Sequence, residues 1–389
     1  MKFDYDIFTE ILCLLSVETL LRFRCLSKTC CSLIDSPEFI NLHLNRFTKT
    51  STNSTLIIDE IEPDGSIYAI DLDSSQSDRC PGEFHRPFDS YFDTLLSHAY
   101  TADDRWDCKF YGDVFGSCNG LLAMYNGERM ILWNPSTRKH RTLPRFWGCS
   151  HCEYELLRGF GYDAVNDEYK LIVLIQPHME DNVRVVVYSL KANSLTKIKH
   201  LHDYSIIHKC NTRPNIGVLV GGSLHWVVKL KGNINGRVIL AFDLVEEKIY
   251  ELPIPDMNNE YCCLPVEELG GSLAICGSRA DWIFEIWVMK EYGKMETWTK
   301  IFHLSSSFLD KIPRRYPYYS YMKALCCLRT KAGDDVLLLY NLDGKCFFLY
   351  DMQQKSAEKP AIFGSSVQHK IICNRISANS FIRSLVPVS

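Results

Sequence analysis

Nucleophilic hydrolysis, metal binding and acid-base chemistry each need particular residue types at particular spacings, and this chain supplies near misses for all three. The nearest approach to a Gly-x-Ser-x-Gly elbow, Gly221-Gly222-Ser223-Leu224-His225, breaks that pattern and recurs in part as Gly270-Gly271-Ser272-Leu273, so it reads as a repeated strand turn. Cys149, His151 and Cys152 stand close together, but no paired Cys-x-x-Cys follows to complete a tetrahedral shell, and no metal is expected. Asp163, Asp167 and Glu168 lie at a hairpin joint, where turn chemistry favours Asp without any catalytic role. There is no Gly-x-x-x-x-Gly-Lys-Ser/Thr loop and no dinucleotide fingerprint at a strand-helix junction, so no cofactor is expected either.

What remains are residues suited to gripping other molecules. Segment 311–321 combines Arg314 and Arg315 with Tyr316, Tyr318 and Tyr319 around two prolines, and Arg and Tyr are enriched where interfaces concentrate their binding energy. These five are candidate target contacts; the alternative is an ordinary loop whose rings fold back on a sheet. The irregular stretch 74–109, dotted with Phe, Tyr and Trp, is a second candidate loop. Trp226, Trp287 and Trp298 stand in strand patterns beside Leu, Val and Ile, which predicts core packing.

Two kinds of element must position these residues. Residues 1–47 carry helical spacing and the rest carry strand spacing, with the change at the polar run 48–55, read as a linker before a β-domain over 56–389. Ile7, Ile11, Leu12 and Leu15 share helical spacing, Ser16 and Ser27 are placed to cap a second and a third helix, and Pro37 suits the first turn of a fourth. So small a module cannot enclose that much apolar surface by itself, so either the β-domain of the same chain or a separate partner must cover it. Farther on, strands such as 67–72, 130–133 and 169–175 alternate with Gly, Pro, Asn and Asp joints. The two Gly-Gly-Ser-Leu runs and the looser copy Gly116-Ser117-Cys118-Asn119-Gly120-Leu121-Leu122 recur at roughly the fifty-residue period of kelch-type blades. The fold class is mainly β, a ring of small sheets in preference to a two-sheet sandwich.

Composition narrows the partners. The 389 residues are 46% hydrophobic and 23% charged, ordinary for a globular chain, and a net charge of -4 gives no field to draw nucleic acid. Seventeen cysteines, an odd number with adjacent pairs such as Cys30-Cys31 and Cys326-Cys327, fit a reduced protein of the cytoplasm or nucleus better than a disulfide scaffold. The apolar stretch 7–21 is broken by Glu10 and Glu18 and is too short to span a membrane, so no membrane partner is expected.

The helical segment resembles the F-box, most closely in Glu10-Ile11-Leu12, in Leu20-Leu21-Arg22-Phe23-Arg24-Cys25-Leu26-Ser27-Lys28 and in Ser36-Pro37-Glu38-Phe39-Ile40. The β-region is similar to the kelch-like, propeller-type F-box-associated domain (type 1) of plants, in Leu132-Trp133-Asn134-Pro135-Ser136-Thr137, Gly159-Phe160-Gly161-Tyr162-Asp163, Ser223-Leu224-His225-Trp226 and Ile286-Trp287-Val288-Met289. Where the F-box family carries Leu-Pro pairs this chain has Phe3-Asp4 and Leu15-Ser16, and Cys30 replaces its usual Trp. The resemblance implies a non-catalytic substrate receptor of a Skp1-cullin-F-box ubiquitin ligase. Its helices would hold a Skp1-like adaptor, and through it cullin, with Ile7, Ile11, Leu12, Leu15, Ser16, Val17, Leu20 and Leu21, while the β-domain holds a protein target that the sequence does not name. The other reading kept open is a stand-alone protein- or glycan-binding propeller whose F-box engages no adaptor.

Overall fold

A strand that is apolar on both faces must be covered on both, and Leu121–Tyr125 and Met130–Asn134 are buried along their whole length. The structure, a computed structural model, satisfies that demand with six small antiparallel sheets among the described residues. Those residues are 5–50, 54–60, 67–71, 82–84, 113–125, 130–144, 154–177, 180, 182–207, 216–233, 236–255, 261–279, 283–304, 322–329, 335–341, 346–354, 356–358 and 376–388.

From the inside outward, the first sheet holds Ile376–Ile382, Ser54–Glu60, Ile67–Asp71 and Gly82–Phe84. The second holds Asp113–Cys118, Leu121–Tyr125, Met130–Asn134 and Lys139–Thr142, and the third Tyr154–Asp163, Glu168–Pro177, Val183–Ser189 and Ser194–Leu201. In the fourth, Tyr204–Ser205 and Val218–Val220 both flank Ser223–Leu230, followed by Arg237–Asp243 and Ile249–Leu252. The fifth places Tyr261–Cys263 and Val266–Leu269 beside Ser272–Arg279, then Phe284–Met289 and Trp298–Leu304; the sixth runs Met322–Arg329, Asp335–Asn341, Cys346–Asp351 and Ser356–Glu358.

The innermost strands touch one after another, and Met322–Arg329 meets Ile376–Ile382, so the sheets are blades of a closed ring. Pairing of Ser54–Glu60 with Ile376–Ile382 shuts that ring between distant parts of the sequence. Apolar slabs fill the space between neighbouring blades. Trp226, fully buried, lies in the slab between the third and fourth, with its indole N–H donated to the Arg158 carbonyl at 3.2 Å. A Cβ added at Gly159 or Gly217 would stand under 3 Å from that indole, so those positions need glycine for close approach.

The repeat legible in the sequence is the hairpin between the first two strands of a blade. Asn119-Gly120 (φ 51 and 78), Gly221-Gly222 (58 and 80) and Gly270-Gly271 (59 and 81) each place two left-handed residues in a two-residue turn, whose twist matches the strands. A second repeated device ends the third strand of a blade or, in the third blade, the first: Asn134, Asp163, Asp243 and Asp351 each accept two backbone N–H bonds from residues two and three positions on.

Four helices precede the ring: α1 (Tyr5–Leu12), α2 (Val17–Phe23), α3 (Lys28–Ile34) and α4 (Pro37–Thr50). Ser16, Ser27 and Ser36 accept the N–H of Thr19, Cys30 and Phe39, as capping requires. α4 runs to Thr50 and the first strand begins at Ser54, so helix occupies part of the stretch read as linker. Packing outweighs the polar composition there: Leu44 sits in the slab between the second and third blades, and Thr48 turns its hydroxyl onto the Leu44 carbonyl at 2.9 Å.

Candidate protein-binding sites

The helices enclose a small core of Leu12, Cys13, Val17, Leu20, Leu33, Ile34 and Phe39, and one further side chain completes it: Leu385, from the strap that follows the ring-closing strand. Asn134 grips that strap by donating its amide to the carbonyls of Ser384 (3.1 Å) and Val386 (2.7 Å), while Ser384 donates its hydroxyl to the Asn119 carbonyl at 2.7 Å. Arg383 pairs with Glu18 of α2. Buried His43 donates from Nε2 to the Leu15 carbonyl at 3.0 Å, locking α4 onto the α1–α2 turn, and burial lowers its pKa.

This core sorts the eight helical residues expected to meet an adaptor. Leu12, Val17 and Leu20 point inward and are buried; Leu15 and Leu21 are half-buried against the same core; Ser16 is an exposed cap. Ile7 and Ile11 remain outside, 58% and 52% exposed, and Leu14, 59% exposed, follows in the turn after α1, its N–H donated to the Ile11 carbonyl at 3.1 Å. Spacing i, i+4 places Ile7 and Ile11 on one face of α1, whereas Leu14 stands past the helix end, where periodicity gives no signal. Cys30, at the family's tryptophan position, is half-exposed.

On the ring, loop candidates Arg314, Arg315, Tyr316, Tyr318 and Tyr319 lie outside the described residues, as do the Cys149, His151 and Cys152 cluster and most of 74–109. The tryptophans divide. Trp226 is core as expected, but Trp287 and Trp298 are only half-buried, and with Pro255, Met295 and Glu296 they line an open cleft of about 430 Å³ at the boundary of the fourth and fifth blades. A β-bulge lies beside it: pairing of Phe284–Met289 with Trp298–Leu304 shifts register between Ile286 and Trp287 and leaves Ile301 as an extra residue on the strand that Trp298 opens, which breaks strict alternation there. Alternation alone could not reveal it.

Buried titratable groups elsewhere serve the ring. Asp163 is fully buried; burial pushes its carboxyl up, but Asn166 donors and the Lys170 ammonium at 3.0 Å outweigh that and hold it at about 2. Lys170 also donates to the Leu244 carbonyl at 2.6 Å, tying the third blade to the fourth. His225 is buried and pushed down to about 4 by desolvation. Its Nδ1–H donates to the Val218 carbonyl (3.0 Å), so Nε2 accepts from the Tyr292 hydroxyl (2.7 Å), joining the fourth blade to the fifth. Both arrangements are inter-blade ties.

Ring and helices together match two known domains: the F-box domain over residues 2–42 and the F-box associated beta propeller domain over residues 84–382. The chain belongs to the F-box proteins with an associated β-propeller. Among its relatives in Arabidopsis thaliana, F-box protein CPR1 is 28% identical over 406 residues, covering 98% of this chain and 88% of that protein. F-box protein At4g22390 is 26% identical over 371 residues (90% and 84%), and F-box/kelch-repeat protein At3g23880 is 26% identical over 305 (76% and 78%). F-box proteins with a propeller are generally non-catalytic substrate receptors of ubiquitin ligases, and an F-box implies an adaptor of the Skp1 kind.

Proposed function

We propose that this F-box protein is the target-binding subunit of a Skp1-cullin-F-box ubiquitin ligase, working in the cytoplasm or nucleus. The observation that carries the reading is the stripe of Ile7, Ile11 and Leu14. The helical core is already closed by Leu385, yet these side chains stay in solvent, where an apolar stripe on so small a module gains stability only from another surface. A Skp1-like adaptor would cover it and bring cullin; the propeller would hold the target. Catalysis then belongs to the bound partners, and the receptor contributes effective concentration: a tethered target meets the ubiquitin-carrying enzyme far more often than a free one.

The test is co-purification with a Skp1-like adaptor. Ile7→Asp with Ile11→Asp should abolish capture while leaving the melting temperature unchanged, because both residues are exposed and each charge would be desolvated only in the complex. Capture undiminished by this pair would remove the stripe as the adaptor surface. A wild-type chain that captures no adaptor, yet still binds a target, would assign the stand-alone propeller instead.

A further inference from the structure

We propose that the cleft between the fourth and fifth blades receives an arginine side chain from the captured protein; this rests on the receptor reading above and adds to it the chemistry of recognition. Both indole N–H groups at the cleft are committed inward, Trp298 to the Pro253 carbonyl at 3.1 Å and Trp287 to Glu285 at 3.3 Å. The rings therefore offer a ligand only their π surfaces. A groove that reads proline or extended backbone needs a free donor for the peptide carbonyl, and these donors are spent.

The free polar group on the lining is an anion. Glu285 is saturated by Lys300, His303, Tyr261 and Trp287, and Glu291 is paired with Lys294, whereas Glu296 is exposed and makes no hydrogen bond or ion pair among the described residues. Two π faces, a polarisable thioether at Met295 (49% exposed) and one unpaired carboxylate favour a cation and oppose an acidic ligand. The Lys300 ammonium, held by Glu285 at 2.6 Å, already lies 5.0 Å from the Trp287 ring centroid, so this indole accommodates a cation beside it. Arginine fits better than lysine because its planar guanidinium stacks on indole while its edge donates to a carboxylate.

The wall carrying Met295 and Glu296 is braced before any ligand arrives. Thr297 Oγ1 accepts the Glu291 N–H at 3.1 Å and lies 2.7 Å from the Lys294 carbonyl, and Gly293 at φ 81 makes the turn that brings the strand back. Preorganisation of this kind lowers the ordering cost of binding.

The experiment titrates the full chain in complex with its adaptor with blocked Gly-Arg-Gly, Gly-citrulline-Gly, Gly-Leu-Gly and Gly-Glu-Gly peptides, following the indole N–H signals of Trp287 and Trp298 by NMR. The arginine peptide should shift both signals at concentrations where the other three do not, more weakly as salt rises. Glu296→Gln should weaken it about threefold to fivefold, since an exposed ion pair is worth up to about 1 kcal/mol. Met295→Ala, also exposed, should weaken it less, and both variants should melt like the wild type. Equal binding of the citrulline peptide, or an unchanged Glu296→Gln variant, would overturn the proposal. The Ile7→Asp, Ile11→Asp chain should still show the shifts, so loss of adaptor and loss of arginine binding are separable.

Discussion

The two modules of this F-box protein treat apolar surface in opposite ways. Among the described residues the propeller buries most of it between blades, and the cleft between the fourth and fifth blades is concave, bounded by aromatic faces and marked by one carboxylate. The helical module is completed internally by a residue from beyond the ring, and still leaves an unadorned stripe outside. A bare apolar stripe suits a partner shared by many receptors, because it asks only for a matching surface. A cleft with a charge at its lip discriminates, because a wrong ligand strands that charge or fails to meet it.

That contrast can be tested by damage confined to one module. The largest effect is expected from Lys170→Met, which leaves Asp163 ionised and buried without its cation: about 3–5 kcal/mol lost in chemical denaturation of the propeller, with adaptor capture retained. Capture lost alongside would show that the modules do not stand apart. Leu385→Ala should cost about 2–4 kcal/mol, but the damage belongs to the helices, read as faster hydrogen exchange in α2 and weaker adaptor capture. If α2 is unaffected, the strap is not part of that core.

Acid should act next. His225 is neutral in the fold with its pKa near 4, whereas an unfolded histidine protonates near 6.5; stability is therefore full above 6.5 and falls as pH drops below it, by roughly 2 kcal/mol at pH 5. His225→Gln should flatten that slope relative to the wild type, and an identical slope would remove this histidine as its source. Least of all, Ile7→Asp with Ile11→Asp should shift stability by no more than about 0.5 kcal/mol while eliminating the adaptor.

How much of this could be read beforehand follows the range of the forces involved. Capping serines, the Gly-Gly and Asn-Gly hairpins and the helix-to-strand change are set by neighbours in sequence, and they were legible. The division of Leu12, Val17 and Leu20 from Ile7 and Ile11 was not, because spacing shows which residues share a face but not which face meets Leu385. Trp287 and Trp298 sit in strand patterns indistinguishable from that of Trp226; only a register shift and the closeness of Pro255 set them apart, and both depend on distant chain.

The placement of Leu385 also bears on how the protein is made. Glu18 and Arg383 are 365 residues apart in sequence, so ribosomes deliver the helices long before the strap that plugs them. During that interval the helical core has an unfilled seat, and a chain interrupted ahead of Ile376–Ile382 can neither plug it nor shut the ring. Completion of the helical core and closure of the ring thus both wait for the same last stretch of chain.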